Sequence, residues 1–175
     1  MDKNLRRLFS ASQIQKRVKE VGRQITEDYK GKSPVVICTL KGAVHFFSDL
    51  TRSIKLPLNF DFVQISSYRS GTVSGKMELV KPLLGNLAGK DVIIVEDIVD
   101  SGNTLSFFTK ELQKQNPTSL KICTFLDKKE RRQTDITPDY CCFEVPDLFI
   151  VGYGLDFAEK YRELPFVAEL INPTL

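Results

Sequence analysis

Apolar residues recur along the chain in two alternating rhythms. Ile14, Val18, Val21 and Ile25 share one face of a 3.6-residue repeat, with Ser10 or Ser12 placed to cap that helix and Gly31 with Pro34 placed to stop it. Val35 to Leu40 is then continuously apolar apart from Thr39, and Gly42 leads into a second helical stretch through Val44, Phe47 and Leu50. The order repeats. Phe60 to Ile65 reads as a strand, a polar hairpin-like stretch follows, and Val92 to Val95 reads as a strand. Next come a helix from about Gly102 to Gln115, carrying Leu105, Phe107, Phe108 and Leu112, and a strand from Leu120 to Leu126. Shorter strands near Cys142 to Val145, Leu148 to Val151 and Val167 to Ile171 end the pattern. Continuous apolar runs alternating with amphipathic helices predict an α/β fold whose mainly parallel, twisted sheet is flanked by helices on both faces. With no internal repeat, low-complexity tract or linker, residues 1–175 read as one domain.

Composition narrows the partners. A chain of 175 residues that is 42% hydrophobic and 27% charged can bury an ordinary globular core. The net charge of +3 is too small to imply nucleic acid. No apolar run is long enough to span a membrane, and Met1 to Arg7 lacks the apolar centre of a signal peptide, so a cytoplasmic protein is expected. Cys38, Cys123, Cys141 and Cys142 show no CxxC spacing; reduced, structural thiols are expected rather than disulfides or zinc ligands. Lys128, Lys129, Arg131 and Arg132 form a local basic cluster, read as a funnel for an anionic substrate. His45 lies in the helix after Gly42 and is read as structural.

The run from Val92 to Thr104 carries chemistry. An apolar strand gives way to Glu96 and Asp97, and then to Asp100-Ser101-Gly102-Asn103-Thr104, a turn opening a helix. Gly102 lets the backbone approach a ligand, and the unpaired amides at the helix start favour an anion such as phosphate. The acids would repel a bare phosphate. They suit a sugar phosphate, whose vicinal hydroxyls want acceptors and whose diphosphate arrives with Mg²⁺. A receiver domain also ends its first strand in paired acids, but that strand would open the domain, and here a strongly patterned half of the chain precedes it.

This run resembles the 5-phosphoribosyl 1-diphosphate (PRPP) loop of the type I phosphoribosyltransferases. Further segments are similar to the 6-oxopurine members: Leu40-Lys41-Gly42, Ser67-Tyr68, Leu126-Asp127-Lys128-Lys129, Pro146 to Asp156, and Glu159 to Arg162. The similarity spans roughly residues 10 to 171, with the motifs in order. It implies the family's fold with a small hood built from terminal segments, and a flexible catalytic loop at about residues 66–76. The roles implied are residue by residue. Glu96 and Asp97 hold the ribose hydroxyls and a metal, Ser101, Gly102, Asn103 and Thr104 hold the 5'-phosphate, and Asp100 is the general base. Lys41, Gly42, Ser67, Tyr68 and Arg162 serve the pyrophosphate. Lys128, Phe149, Ile150 and Asp156 serve the purine, Asp156 also lying at a second-metal region. Asn103 and Leu148 depart from relatives that carry lysine there.

The activity implied is Mg²⁺-dependent transfer of the phosphoribosyl group from PRPP to N9 of hypoxanthine or guanine. A homo-oligomer, dimer or tetramer, with PRPP and a 6-oxopurine base as its small-molecule partners, is expected from the same resemblance. The alternatives are a xanthine-preferring enzyme, a PRPP-sensing regulator on the same fold, and a nucleotide-binding module without catalysis.

Overall fold

The computed structural model describes residues 4–67, 77–81 and 83–173. Its strands are β1 (Leu5–Phe9), β2 (Val35–Leu40), β3 (Asn59–Ser67), β4 (Met77–Lys81), β5 (Asp91–Val99), β6 (Ser119–Asp127), β7 (Tyr140–Glu144), β8 (Ile150–Val151) and β9 (Val167–Leu170). The helices are α1 (Ala11–Asp28), α2 (Val44–Ser53) and α3 (Asn103–Gln113), with a 3₁₀ turn at Lys129–Arg131.

Six strands form the main sheet in the order β4-β3-β2-β5-β6-β7. All neighbours are parallel except the β3–β4 pair, with α2 crossing from β2 to β3 and α3 from β5 to β6. Two-sided burial explains the unbroken apolar runs. In β5, Ile93 and Val95 join the core under α1 and α2, whereas Val92 and Ile94 join the core under α3. In β2, Val36 and Cys38 oppose Val35 and Ile37 in the same way.

The first helix begins where its capping box predicts. Ser10 accepts from the Gln13 amide, and the Gln13 side chain accepts in return from the Ser10 amide. Ile14, Val18, Val21 and Ile25 are all buried. Gly22 lets α1 approach α2 closely, since a Cβ there would fall 2.6 Å from that of Ser53.

Several expectations change. Phe47 and Leu50 of α2 are buried as expected, but Val44 is exposed and Phe46 is buried, so the apolar face turns toward Phe46. The strand read as Val92 to Val95 continues to Val99, carrying Glu96 and Asp97 inside it through pairing with β6. The stretch read as a hairpin contains β4, antiparallel to β3, while residues 68–76 between them lie outside the described ones. The segment near the start is itself a strand. β1 pairs with β9, and β9 with β8, in a three-stranded antiparallel sheet that joins the two ends of the chain. Among the described residues no helix is long and apolar enough to cross a membrane, and all four cysteines are free.

Candidate active site

Because β2 and β5 are parallel neighbours, their carboxyl ends set Thr39 to Gly42 beside Glu96 and Asp97. The Thr39 hydroxyl lies 2.9 Å from both the Val95 carbonyl and Glu96 Oε1. Burial, and then the charge of Asp97, push the Glu96 carboxyl well above the usual carboxylate range. Asp97 folds back to accept from the Ile98 amide at 2.8 Å.

Three loops interlock here. A Cβ on Gly42 would fall 1.6 Å from Asp97 Oδ2, and a Cβ on Gly154, whose φ is +104°, would fall 2.0 Å from the Gly42 carbonyl oxygen. Only glycines allow this approach. The Leu40–Lys41 peptide is cis.

Beyond Val99 the chain turns into α3. Gly102, at φ +82°, sits so close to the following segment that a Cβ would fall 2.2 Å from Thr134 Oγ1. The N-cap Gly102 has no side chain to cap α3, Ser101 Oγ accepts from the Asn103 amide at 3.4 Å, and the helix start opens onto a cavity of about 80 Å³ lined by Glu96, Asp100, Ser101, Gly102 and Thr104. Asn103 is exposed, its side-chain amide donating to Gln133 Oε1.

The segment after β6 is laced to this turn by main-chain bonds. The Lys128 amide donates to Val99 O and the Gln133 amide to Ser101 O, both at 2.9 Å. Arg132, paired with Asp127, donates through Nε to the Asp100 carbonyl at 3.2 Å. Lys128 is 7% exposed, with its ammonium 3.7 Å from Asp147. The expected funnel of free charge is absent. Lys129 pairs with Glu144, Arg131 with Asp100 and Asp147, and Arg132 with Asp127, so the cluster is neutralised locally.

The tail closes the other side. Arg162 donates to Gly154 O at 2.8 Å and pairs with Asp156 at 2.8 Å and with Glu159 at 3.3 Å. Lys41 reaches the same Glu159 at 3.1 Å. Two cations from opposite ends of the sequence thus converge on one carboxylate. Asp156, expected at a metal, has one oxygen on Arg162 and the other on the Glu159 amide. Phe149 is 42% exposed and meets Phe157 edge-on at 5.2 Å, while Ile150 is buried in β8 against β9.

Ser67 ends β3 opposite Met77, and Tyr68 lies outside the described residues. His45, read as structural, is exposed beside a cavity of about 270 Å³ that Asp49, Arg52 and Tyr153 also line. Sequence reasoning gave no role to Glu159 or Asp147, although both fall within segments the resemblance names, and did not separate the tasks of Arg131 and Arg132. Their pairing is set by tertiary contact between distant segments, and the only local signal was a run of charge.

Comparison with known proteins follows this geometry. The profile of the family described as "Phosphoribosyl transferase domain" matches residues 6–158. A hypoxanthine-guanine phosphoribosyltransferase of Streptococcus thermophilus is 45% identical over 97% of this chain and 96% of its own. One of Bacillus subtilis is 46% identical over 93% of this chain and 91% of its own. The crystal structure of a hypoxanthine phosphoribosyltransferase from Staphylococcus aureus superposes with a TM-score of 0.91 at 43% identity, over 95% of this chain and 92% of that one. With an acid pair inside β5, a glycine-led helix start and glycine-locked loops at the carboxyl ends of β2 and β5, and with a match over most of its length, this chain belongs to the phosphoribosyl transferase domain family.

Proposed function

We propose that this chain transfers the 5-phosphoribosyl group of PRPP to N9 of hypoxanthine or guanine, releasing pyrophosphate and forming the nucleotide. The observation that carries the reading is the interlock of Gly42 with Asp97 and Gly154, which brings the acid pair, the Lys41 loop and the tail near Gly154 into contact. The names of the relatives support the same substrates.

The loop amides from Ser101 to Thr104 hold the 5'-phosphate at the small cavity beside α3. Glu96 and Asp97 accept from the ribose hydroxyls. Lys41 and Arg162 take the diphosphate in place of Glu159, which they share in the free chain. Lys128 donates to O6 of the purine, Phe149 stacks on its ring, and the backbone of Ile150 meets its edge. As the C1'–oxygen bond to the diphosphate breaks and N9 bonds to C1', Asp100 takes the proton from N7.

The donor set fits Mg²⁺. Among the described residues no group of three or more His, Cys, Asp or Glu side chains is gathered as metal ligands. Glu96 and Asp97 instead offer two carboxylates, the number from which Mg²⁺ completes its shell with water and substrate phosphate oxygens. When bound there, the ion supplies neutralisation of the leaving diphosphate. Incubation of the chain with PRPP, Mg²⁺ and hypoxanthine should yield IMP and pyrophosphate in equal amounts. Absence of both products under saturating substrates would overturn the assignment.

A further inference from the structure

Lys128 and Asp100, the proposed purine donor and the proposed base, are joined through two residues to which the reaction assigns no role. Arg131 Nε lies 3.3 Å from Asp100 Oδ1, and Arg131 Nη1 lies 3.7 Å from Asp147 Oδ1. The same Asp147 oxygen lies 3.7 Å from the Lys128 ammonium. The series runs Asp100, Arg131, Asp147, Lys128, with charge alternating at each step.

The surroundings leave little else for Arg131 to do. The backbone of the Asp100 loop is already fixed by the Lys128 and Gln133 amides and by Arg132 on the Asp100 carbonyl. The side chain of Asp100 is the part left free. Its Oδ1 is buried and makes no hydrogen bond, so the guanidinium of Arg131 is the charge that compensates it. Lys128, buried on the other side of the turn, has Asp147 as its counter-charge.

We infer that Arg131 is a positioning residue for Asp100, and that Asp147, shared between Arg131 and Lys128, couples purine recognition to the base. The inference rests on the function proposed above and deepens it. When a 6-oxopurine presents O6 to Lys128, the ammonium gains an acceptor and relies less on Asp147. Asp147 then holds Arg131 more fully, and Arg131, so anchored, fixes Asp100 where it receives the N7 proton. A purine without that acceptor leaves Asp147 shared with Lys128 and Arg131 less firmly placed, so recognition at one edge of the base is felt in turnover as well as in binding.

The test is steady-state kinetics with hypoxanthine and saturating Mg-PRPP, with direct measurement of PRPP affinity, on the wild type and on the Arg131→Gln, Arg131→Lys, Asp147→Asn and double Arg131→Gln/Asp147→Asn variants. Arg131→Gln should lower kcat by about tenfold, within the range of coupling between contacting charges and below the loss expected for removing the base itself. PRPP affinity should stay within about twofold, because the loop amides and the acid pair are untouched. Arg131→Lys should recover part of the loss, and the two single effects should fail to add in the double variant. Wild-type kcat in Arg131→Gln, beside an Asp100→Asn variant that has lost turnover, would overturn the positioning role while leaving the reaction intact. Additive effects in the double variant would overturn the coupling through Asp147. A wild-type chain that forms no nucleotide would overturn the function proposed above, and this inference with it.

Discussion

The turn at residues 99–102 and the tail at residues 152–162 are both braced by main chain, and they differ in where an exposed carboxylate holds the cations. Around Val99 to Gly102 the Lys128, Gln133 and Ser106 amides donate to the Val99, Ser101 and Gly102 carbonyls at 2.8 to 2.9 Å. Around Gly152 to Arg162 the Gly152, Tyr153 and Gly154 amides also donate to main-chain carbonyls at 2.9 to 3.0 Å, but Lys41 and Arg162 meet on the exposed Glu159, and Tyr153, Ala158, Glu159 and Tyr161 adopt left-handed conformations. Main-chain bonds keep their geometry whether or not a ligand is present. Exposed ion pairs contribute little and exchange readily for another anion. On the function proposed above, the turn at residues 99–102 would be built in advance for the phosphate, and Glu159 would be a stand-in that the diphosphate replaces.

The largest effect should come from the prebuilt side. Asp100→Asn removes the proton acceptor but leaves the loop amides in place, so turnover should fall by ~10² to 10⁴ while PRPP affinity changes by no more than a few-fold. Full turnover with saturating substrates would remove Asp100 from the mechanism and break the contrast on that side.

Gly154→Ala tests the interlock itself. The added methyl would meet the Gly42 carbonyl at 2.0 Å, so the tail or the Lys41 loop must shift, and kcat/KM should drop by about 10²-fold. Gly31→Ala is the matched comparison. At φ +77° it bears similar backbone strain, yet nothing lies within 4 Å, and the expected cost is ~1 kcal/mol of stability with activity retained. Equal kinetic effects of the two substitutions would mean that backbone strain, not the contact with Gly42, governs the site.

The smallest effect sharpens the stand-in argument. Glu159→Ala should free Lys41 and Arg162 and raise pyrophosphate affinity about threefold, a size in keeping with exposed ion pairs. Calorimetric titration showing weaker binding would instead make Glu159 a support for the two cations.

How much of this could be read from sequence depends on where each signal lies. β2 and β5 were legible because both faces are buried, and α1 because its cap and apolar stripe are local. β1 was not legible. Its two arginines break the alternation, and the partner that makes it a strand lies at the far end of the chain, Leu5 opposite Leu170. The extension of β5 past Val95 escaped for the same reason, since Glu96 and Asp97 look like a strand end until β6 supplies Thr124, Leu126 and Asp127 as neighbours. In the site, the glycine contacts bring the segments of Gly42, Asp97 and Gly154 together, each within a motif read from sequence. The pairing of Arg131, Arg132, Asp147 and Glu159 was not legible, although Asp147 and Glu159 fall within segments the resemblance names. Cancellation between residues 5 to 118 positions apart in the chain is a property of the fold.

The most direct test of the central claim is the comparison of hypoxanthine with adenine as acceptor in the wild-type chain. Lys128 is buried and offers only donors, which suit O6 of a 6-oxopurine and face the 6-amino donors of adenine. Leaving such a buried charge without its acceptor should separate the two bases by at least ~10² in kcat/KM. Values for adenine within about tenfold of those for hypoxanthine would contradict the account, because a site built around Lys128 cannot be that tolerant of a donor at this position.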